Sequence, residues 1–166
     1  MSADLVTWLR ACIDDDQRVA KSAVTEPFPV GKGLGAGVWR QGAPAGHMWA
    51  ERIEGDDLTI YDEGGHSEAH AAHIARWDPA RVLAEVAAKR AILDEHAIIH
   101  RDIGWLEEDD GERVENYAEL PVCVRCVPKH SHFPRREDVP VGPCRTVRLC
   151  VAPFVGRSGF NPSWLD

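Results

Sequence analysis

The chain lacks any long apolar run, since no stretch approaches the roughly 20 uninterrupted apolar residues of a membrane-spanning helix. Its first 20 residues carry three consecutive aspartates, Asp14 to Asp16, where a signal peptide would be basic and then apolar. These absences argue against the membrane and secreted classes of protein. The sequence therefore predicts a cytoplasmic protein with no membrane partner.

An excess of positive charge and the common catalytic motifs are also missing. The 27 acidic residues outnumber the 19 basic ones, and the formal net charge of -8 argues against broad binding to nucleic-acid phosphates. The glycine-rich run from Gly31 to Gly37 has no Gly-Lys-Ser/Thr ending and so does not match a phosphate loop. No HExxH pattern and no serine in a strand-to-helix elbow occur. The sequence favours a non-enzymatic protein.

The N-terminal half combines one helix with short strands. At 166 residues the chain is long enough for one domain, residues 1–166, with an ordinary hydrophobic core. Apolar residues recur at helical spacing through residues 1–22, and Cys12 falls on that stripe, which predicts a buried thiol. Residues 25–65 combine a Gly/Pro-rich loop with a predicted antiparallel β-meander. Its strands are expected at residues 38–40, 48–53 and 58–61.

The C-terminal half begins with a predicted helix pair at residues 67–97, whose second helix has Asp78 as its N-cap and Pro79 in its first turn. Residues 98–120 are acidic and read as an exposed loop. Residues 121–166 should hold a metal site and a C-terminal helix at 144–154. The expected fold class is α+β: two long helices and a C-terminal helix packed with a small antiparallel meander.

Five cysteines, an odd number, argue for metal ligation or buried thiols rather than disulfides in a reducing compartment. In Cys123-Val-Arg-Cys126 the spacing lets two thiolates bind one ion. Cys144 stands at the predicted start of the C-terminal helix, whose N-terminal field favours its thiolate form. Arg125 and Arg145 should lower the thiol pKa values further. The pattern predicts a structural zinc site in a zinc-knuckle-like C-terminal region.

The fourth zinc ligand is left open by the sequence. His130 is the preferred candidate because it follows Cys126 at a short ligand-like spacing. His132, His73 and His96 remain alternatives. Cys150 is a poor ligand because its offset from Cys144 sends it to another helix face. A zinc ribbon usually has two CxxC motifs, and this chain has only one. Ordinary reduced thiols therefore also remain possible.

Three histidines, His66, His70 and His73, share one face of the predicted helix that ends near Trp77. With a nearby carboxylate they would suit a metal-dependent hydrolase or nuclease, which is an alternative function. A non-catalytic interpretation is also available: Asp78 caps the next helix, and the histidines are ordinary surface or core residues.

Basic residues cluster in sequence around the cysteines and predict a binding surface there. They are Arg125, Lys129, Arg135, Arg136, Arg145 and Arg148. A protein partner is favoured over nucleic acid because the whole chain is acidic. A nucleic-acid-binding zinc module is a further alternative.

Two stretches resemble a known family. Residues 72–96, AHIARWDPARVLAEVAAKRAILDEH, and the first helix at residues 5–20 are similar to an uncharacterised family of small proteins from actinobacteria and their phages, a domain of unknown function. Its C-terminal signature is matched in order by Cys123, Cys126, Pro143, Cys144, Thr146, Arg148, Leu149, Ala152, Pro153 and Trp164. The resemblance implies a shared fold, a three-cysteine site and a bacteriophage context, but no activity. The sequence thus predicts a zinc-binding, protein-binding or regulatory module of unknown partner.

Overall fold

The computed structural model describes six segments of the chain, residues 2–24, 35–42, 51–55, 59–62, 68–129 and 132–165. The chain forms two compact units, one built from residues 1–12 and 89–166 and the other from residues 13–88. The prediction of a single domain stays a prediction. In the described segments no helix is both long and apolar enough to cross a membrane.

The first helix, α1 (Ser2–Ala23), has the predicted apolar stripe. The members of that stripe are all buried: Leu5, Leu9, Cys12, Ile13 and Ala20. Asp14, which follows the stripe directly, is exposed. Spacings of three and four residues place these side chains on one side of the helix, so the amphipathic helix and the buried Cys12 thiol are confirmed.

A three-stranded antiparallel meander lies in the unit of residues 13–88. Its strands are β1 (Trp39–Gln41), β2 (Glu51–Gly55) and β3 (Thr59–Asp62), paired in that order. Ile53 at the centre of β2 is buried. The predicted meander is confirmed, although parts of its predicted strands and most of the Gly/Pro-rich loop lie outside the described residues.

Asp78 lies between two helices, α2 (Glu68–Arg76) and α3 (Pro79–Glu95). Its Oδ1 accepts the backbone N–H of Arg81 at 2.7 Å, which is the predicted N-cap contact. Its Oδ2 accepts the backbone N–H of Trp39 at 3.1 Å. One buried carboxylate therefore caps α3 and holds the first strand of the meander.

The prediction of an acidic loop at residues 98–120 is wrong. These residues form a long hairpin of β4 (Ile98–Asp109) and β5 (Glu112–Cys123). Asp110 and Gly111 connect the strands, with φ angles of 46° and 82°. Positive φ at both positions is typical of a type I′ turn, for which Asp-Gly is a strong signal. The acidic side chains are exposed on the hairpin because its distal part is solvated on both faces.

One face of the hairpin builds a core near its base. The buried cluster contains Ile103, Trp105, Val122, Val127 and Val139, with Ala118, Leu120 and Phe133 packed against it. A two-residue strand, β6 (His132–Phe133), runs parallel to β4 at Gly104 and Trp105. The sheet order is β5-β4-β6, so β5 lies at an edge.

The C-terminal helix is shorter than the predicted span of residues 144–154. It consists of α4 (Arg145–Leu149), followed by a 3₁₀ turn at Ala152–Phe154. Pro153 has no N–H to donate to the carbonyl of Leu149, and its ring clashes with that carbonyl in an α-helix. The apolar side of the predicted helix is nonetheless retained, since Val147, Val151 and Phe154 are buried.

The aromatic tail packs on α1. The Trp8 ring centroid lies 6.5 Å from that of Phe154, 5.9 Å from that of Phe160 and 4.9 Å from that of Trp164. The Trp8 indole N–H also donates to the carbonyl of Ser158 at 2.9 Å. These contacts hold the last residues of the chain against the start of α1.

Replacing Asp78 with Ala should lower the free energy of unfolding by about 2 kcal/mol, because two backbone N–H groups lose their acceptor. Asp78→Asn keeps an oxygen for Arg81 and should cost less. Urea denaturation followed by circular dichroism measures both. An equal loss in the two variants would show that the negative charge, and not the cap hydrogen bond, stabilises this corner.

Candidate metal centre

Four side chains from three segments of the chain converge at one point: His96, Cys123, Cys126 and Cys144. Their ligand atoms all lie within 4.8 Å of one another. Cys123 is fully buried, His96 and Cys144 are half-buried, and Cys126 is exposed. The group therefore sits at the surface with its base in the protein interior.

His96 reaches the group because α3 ends directly before the hairpin begins. Its backbone N–H closes the last turn of α3 on the carbonyl of Ile92. Two residues later β4 starts, and its first residue, Ile98, lies opposite Cys123 at the end of β5. The N–H of Val124 donates to the carbonyl of Ala97 at 2.9 Å. This pairing brings His96, which precedes the hairpin, and the CxxC cysteines, which end and follow it, to the base of the hairpin.

The two cysteines of the CxxC motif lie on a tight turn after β5. The N–H groups of Cys126 and Val127 both donate to the carbonyl of Cys123, at 3.1 and 2.9 Å. The third sulfur belongs to Cys144, the residue that precedes α4, whose backbone is extended with φ of -71° and ψ of 167°. Extended backbone at this position turns the side chain away from the helix axis and toward the other sulfurs.

The three separations between the His96 nitrogen and the sulfurs fit one tetrahedral ion. Nδ1 of His96 lies 3.4 Å from Sγ of Cys123, 3.7 Å from Sγ of Cys126 and 3.4 Å from Sγ of Cys144. Metal distances of about 2.3 Å to sulfur and about 2.0 Å to nitrogen place these atoms about 3.6 Å apart in a tetrahedron. These four side chains could therefore hold a metal ion, with the proton of the imidazole on Nε2.

The sulfurs differ in their affinity for protons. Burial alone would raise the pKa of the Cys144 thiol, yet that pKa is lowered by the N–H groups of Val147 and Thr146 that face the sulfur, together with the two neighbouring thiols. Burial raises the pKa of Cys126, and hydrogen bonds to Cys123 and Cys144 raise it further. The first turn of α4 thus favours one thiolate. The charges of Arg125 and Arg145, which the sequence suggested, are not among the main causes of this lowered pKa.

Among the four histidines weighed for the fourth position, His96 joins the sulfurs. His130, the preferred candidate, lies outside the described residues. His132 is elsewhere on the sheet, with its Nε2 3.0 Å from the hydroxyl of Tyr117. His73 belongs to α2 and is not part of the group. His96 was hard to choose from sequence because nothing in its spacing shows that a hairpin returns to it.

Cys150 stays outside the group, as its offset from Cys144 predicted. It is half-buried, and burial raises the pKa of its thiol. We therefore interpret Cys12 and Cys150, the two cysteines outside the group, as thiols that pack against the interior.

The histidine face of α2 does not assemble a second centre from the residues that the structure describes. His70 and His73 are exposed, and Asp78 is used as the cap of α3. The ring of His73 packs near that of Trp77, with 6.2 Å between centroids. His66 lies outside the described residues.

Four of the six basic residues near the cysteines divide into two sets. Arg125 and Arg145 are exposed and adjoin the cysteines of the group in sequence. Arg135 pairs with Glu137 at 3.2 Å, and the guanidinium of Arg136 lies 5.0 Å from the ring centroid of Trp105. The second set lies next to the acidic hairpin, so the basic surface is smaller than the sequence suggested.

Comparison with known proteins agrees with the resemblance noted from the motifs. No curated protein and no solved structure was found to match the chain. A family model described as Family of unknown function (DUF6221) matches residues 2–166. That match covers nearly the whole sequence, both units and all four residues of the candidate metal centre. The chain therefore belongs to the Family of unknown function (DUF6221).

Proposed function

We propose that His96, Cys123, Cys126 and Cys144 bind one structural zinc ion, and that the chain is a non-enzymatic protein-binding or regulatory module. The observation that carries the metal site is the set of three nitrogen-to-sulfur separations of 3.4, 3.7 and 3.4 Å. Bystander side chains seldom reproduce the edges of a coordination tetrahedron, whereas ligands of one ion must.

Zinc fits the donor set best. Thiolate ligands select soft or borderline metals over magnesium and calcium, and a tetrahedral set of three sulfurs and one nitrogen is typical of structural zinc. Four protein ligands fill the coordination shell, so no position remains for water or substrate. A filled shell supports a structural role over metal catalysis.

The ion would connect parts of the chain that are distant in sequence. His96 is separated from Cys123 by 27 positions and from Cys144 by 48. Binding would therefore hold the end of α3, the base of the hairpin and the start of α4 together. Because the unfolded chain has no such site, metal-binding free energy contributes directly to folding.

A protein partner is supported by charge and by the lack of a second assembled site in the described segments. The net charge of -8 opposes nucleic-acid phosphates, and two of the basic residues near the cysteines are engaged by Glu137 and Trp105. A regulatory role in actinobacteria or their phages is what the motif resemblance suggests.

Metal analysis of single variants tests the ligand set. Purified protein should hold one zinc per chain, and His96→Ala or Cys144→Ser should lower that stoichiometry markedly because each leaves three ligands. His130→Ala should retain the metal. Elemental analysis after gel filtration measures the content, and absorption of the cobalt-substituted protein reports sulfur ligation. If His130→Ala lost the ion while His96→Ala kept it, the assignment of the imidazole ligand would be wrong.

Removal of the metal should destabilise the protein. Treatment with a chelator is expected to lower the thermal midpoint, because the ion no longer holds three segments together. Cys144→Ser should show little further change on chelation, whereas Cys150→Ser should behave like the original protein. Scanning calorimetry with and without chelator measures the shift. Equal stability of the two forms would exclude a structural role for the ion.

Nucleic-acid binding provides a test of the partner class. We expect no affinity for DNA or RNA that depends steeply on salt, because the net charge repels phosphate. Fluorescence anisotropy across a salt series measures this for the original protein and for Arg135→Glu with Arg136→Glu. A steep salt dependence that becomes shallower in the double variant would favour the nucleic-acid-binding alternative instead.

A further inference from the structure

Within the segments that the structure describes, the outer side of β5 is an open strand edge along most of its length. Among the described residues, β5 pairs with β4 on one side and has no strand partner on the other from Glu112 to Leu120. Contacts on the outer side begin only near its end, where the N–H of Gly142 donates to the carbonyl of Pro121 at 2.8 Å and Val122 bridges to Val141.

The turn chemistry determines which backbone groups face outward. In a two-residue hairpin the closing pair, here Asp109 and Glu112, is hydrogen-bonded, and such pairs alternate along the ladder. The next residue of β5, Arg113, therefore points its N–H and C=O away from β4, and so does every second residue after it. These are Arg113, Glu115, Tyr117 and Glu119.

Pro121 supports this assignment independently. It continues the same alternation, and its carbonyl does face outward to Gly142. A proline has no N–H to donate, and within sheets it is tolerated where the missing donor would point away from the neighbouring strand. The edge thus offers four amides and four carbonyls, from residues 113, 115, 117 and 119, to an added strand.

Acidic side chains surround this edge. Glu115 and Glu119 are exposed on the face that carries the ring of Tyr117, and Asp102 lies opposite Glu119 on β4. Glu108, near the tip, adds a further negative charge on that face. A second copy of the same strand would bring like charges together in the registers that place Glu115 opposite Glu115 or Glu119, which destabilises cross-strand pairs, and Arg113 is the only basic residue of the outward-facing set. Lysine or arginine at alternate positions would instead meet an opposite charge.

We propose that the outer edge of β5, residues 113–119, pairs with an extended segment of a partner protein that carries lysine or arginine at alternate positions. Main-chain hydrogen bonds supply the affinity in this mode of recognition, and the acidic side chains select the partner. The inference deepens the protein-binding role proposed above by naming its surface and the chemistry of its partner. It does not require the metal ion.

Amide exchange of the full chain tests the pairing with a defined probe. The probe is the acetylated and amidated peptide Lys-Val-Lys-Val-Lys-Val-Lys. On binding, the amides of residues 113, 115, 117 and 119 should exchange more slowly, as measured by NMR. Amides of residues 114, 116 and 118 already bond to β4 and should change little. Alternating protection is expected only if the peptide adds as a strand.

Matched controls separate backbone pairing from attraction between charges. Two versions of the peptide, N-methylated either at the lysines or at the valines, keep the charge and lose donors along opposite edges, and one of them should bind about tenfold more weakly than the other. Glu115→Lys with Glu119→Lys should weaken the unmodified peptide by a similar factor. Glu95→Lys with Asp138→Lys changes the net charge equally, away from the edge, and should leave binding nearly unchanged.

Three results would overturn the edge inference: no binding of the probe, equal binding of peptides N-methylated on either edge, or uniform protection of the hairpin. Self-association of the chain, abolished by the charge reversals and seen by sedimentation, would assign the edge to a second copy instead.

Zinc content measured on the same samples keeps the two proposals apart. If the protein holds zinc but its β5 amides show no alternating protection, only the edge proposal is contradicted. If the protein holds no metal but pairs with the peptide as expected, only the zinc proposal is contradicted.

Discussion

The register between β4 and β5 is the constraint on which the candidate metal centre depends. It places Ile98 opposite Cys123, so His96, two residues before the hairpin, meets the sulfurs that follow it. A slip of one residue would turn every side chain of one strand to the opposite face and move the CxxC turn away from the His96 imidazole. The Asp-Gly turn prevents such a slip because both of its residues occupy positive φ.

The short helix α4 gives the centre its third sulfur and part of its electrostatics. Cys144 precedes the helix, and the N–H groups of the first turn face its thiol and lower its pKa. Pro153 ends regular α-helix early, yet the following 3₁₀ turn keeps Phe154 in the interior beside Trp8. A helix of only five residues can therefore be held in place at both ends, by the ligand group and by the aromatic tail.

The same hairpin has two different sides. Toward β6 and the turn that follows it, its inner face buries Ile103, Trp105 and Val122 in a compact cluster. Along the outer side of β5 the strand is acidic and, within the described residues, without a neighbouring strand. A strand can be stable in this position because its inner-facing residues supply the packing, and charged side chains on an edge strand disfavour unwanted pairing. Partner selection through such an edge is compatible with a chain of net charge -8.

Local patterns in the sequence were sufficient for α1, the meander and the start of α3. Helical spacing of Leu5 and Leu9 and the Asp78-Pro79 cap are interactions between near neighbours, which leave a direct trace in the residue order. The same holds for the three sulfurs, whose spacing indicated a metal site. The hairpin was missed because its acidic side chains obscured the alternation of apolar residues, although Asp110-Gly111 was the available signal. The choice of His96 required the tertiary structure, since the imidazole and Cys144 are 48 positions apart and only strand pairing brings them together.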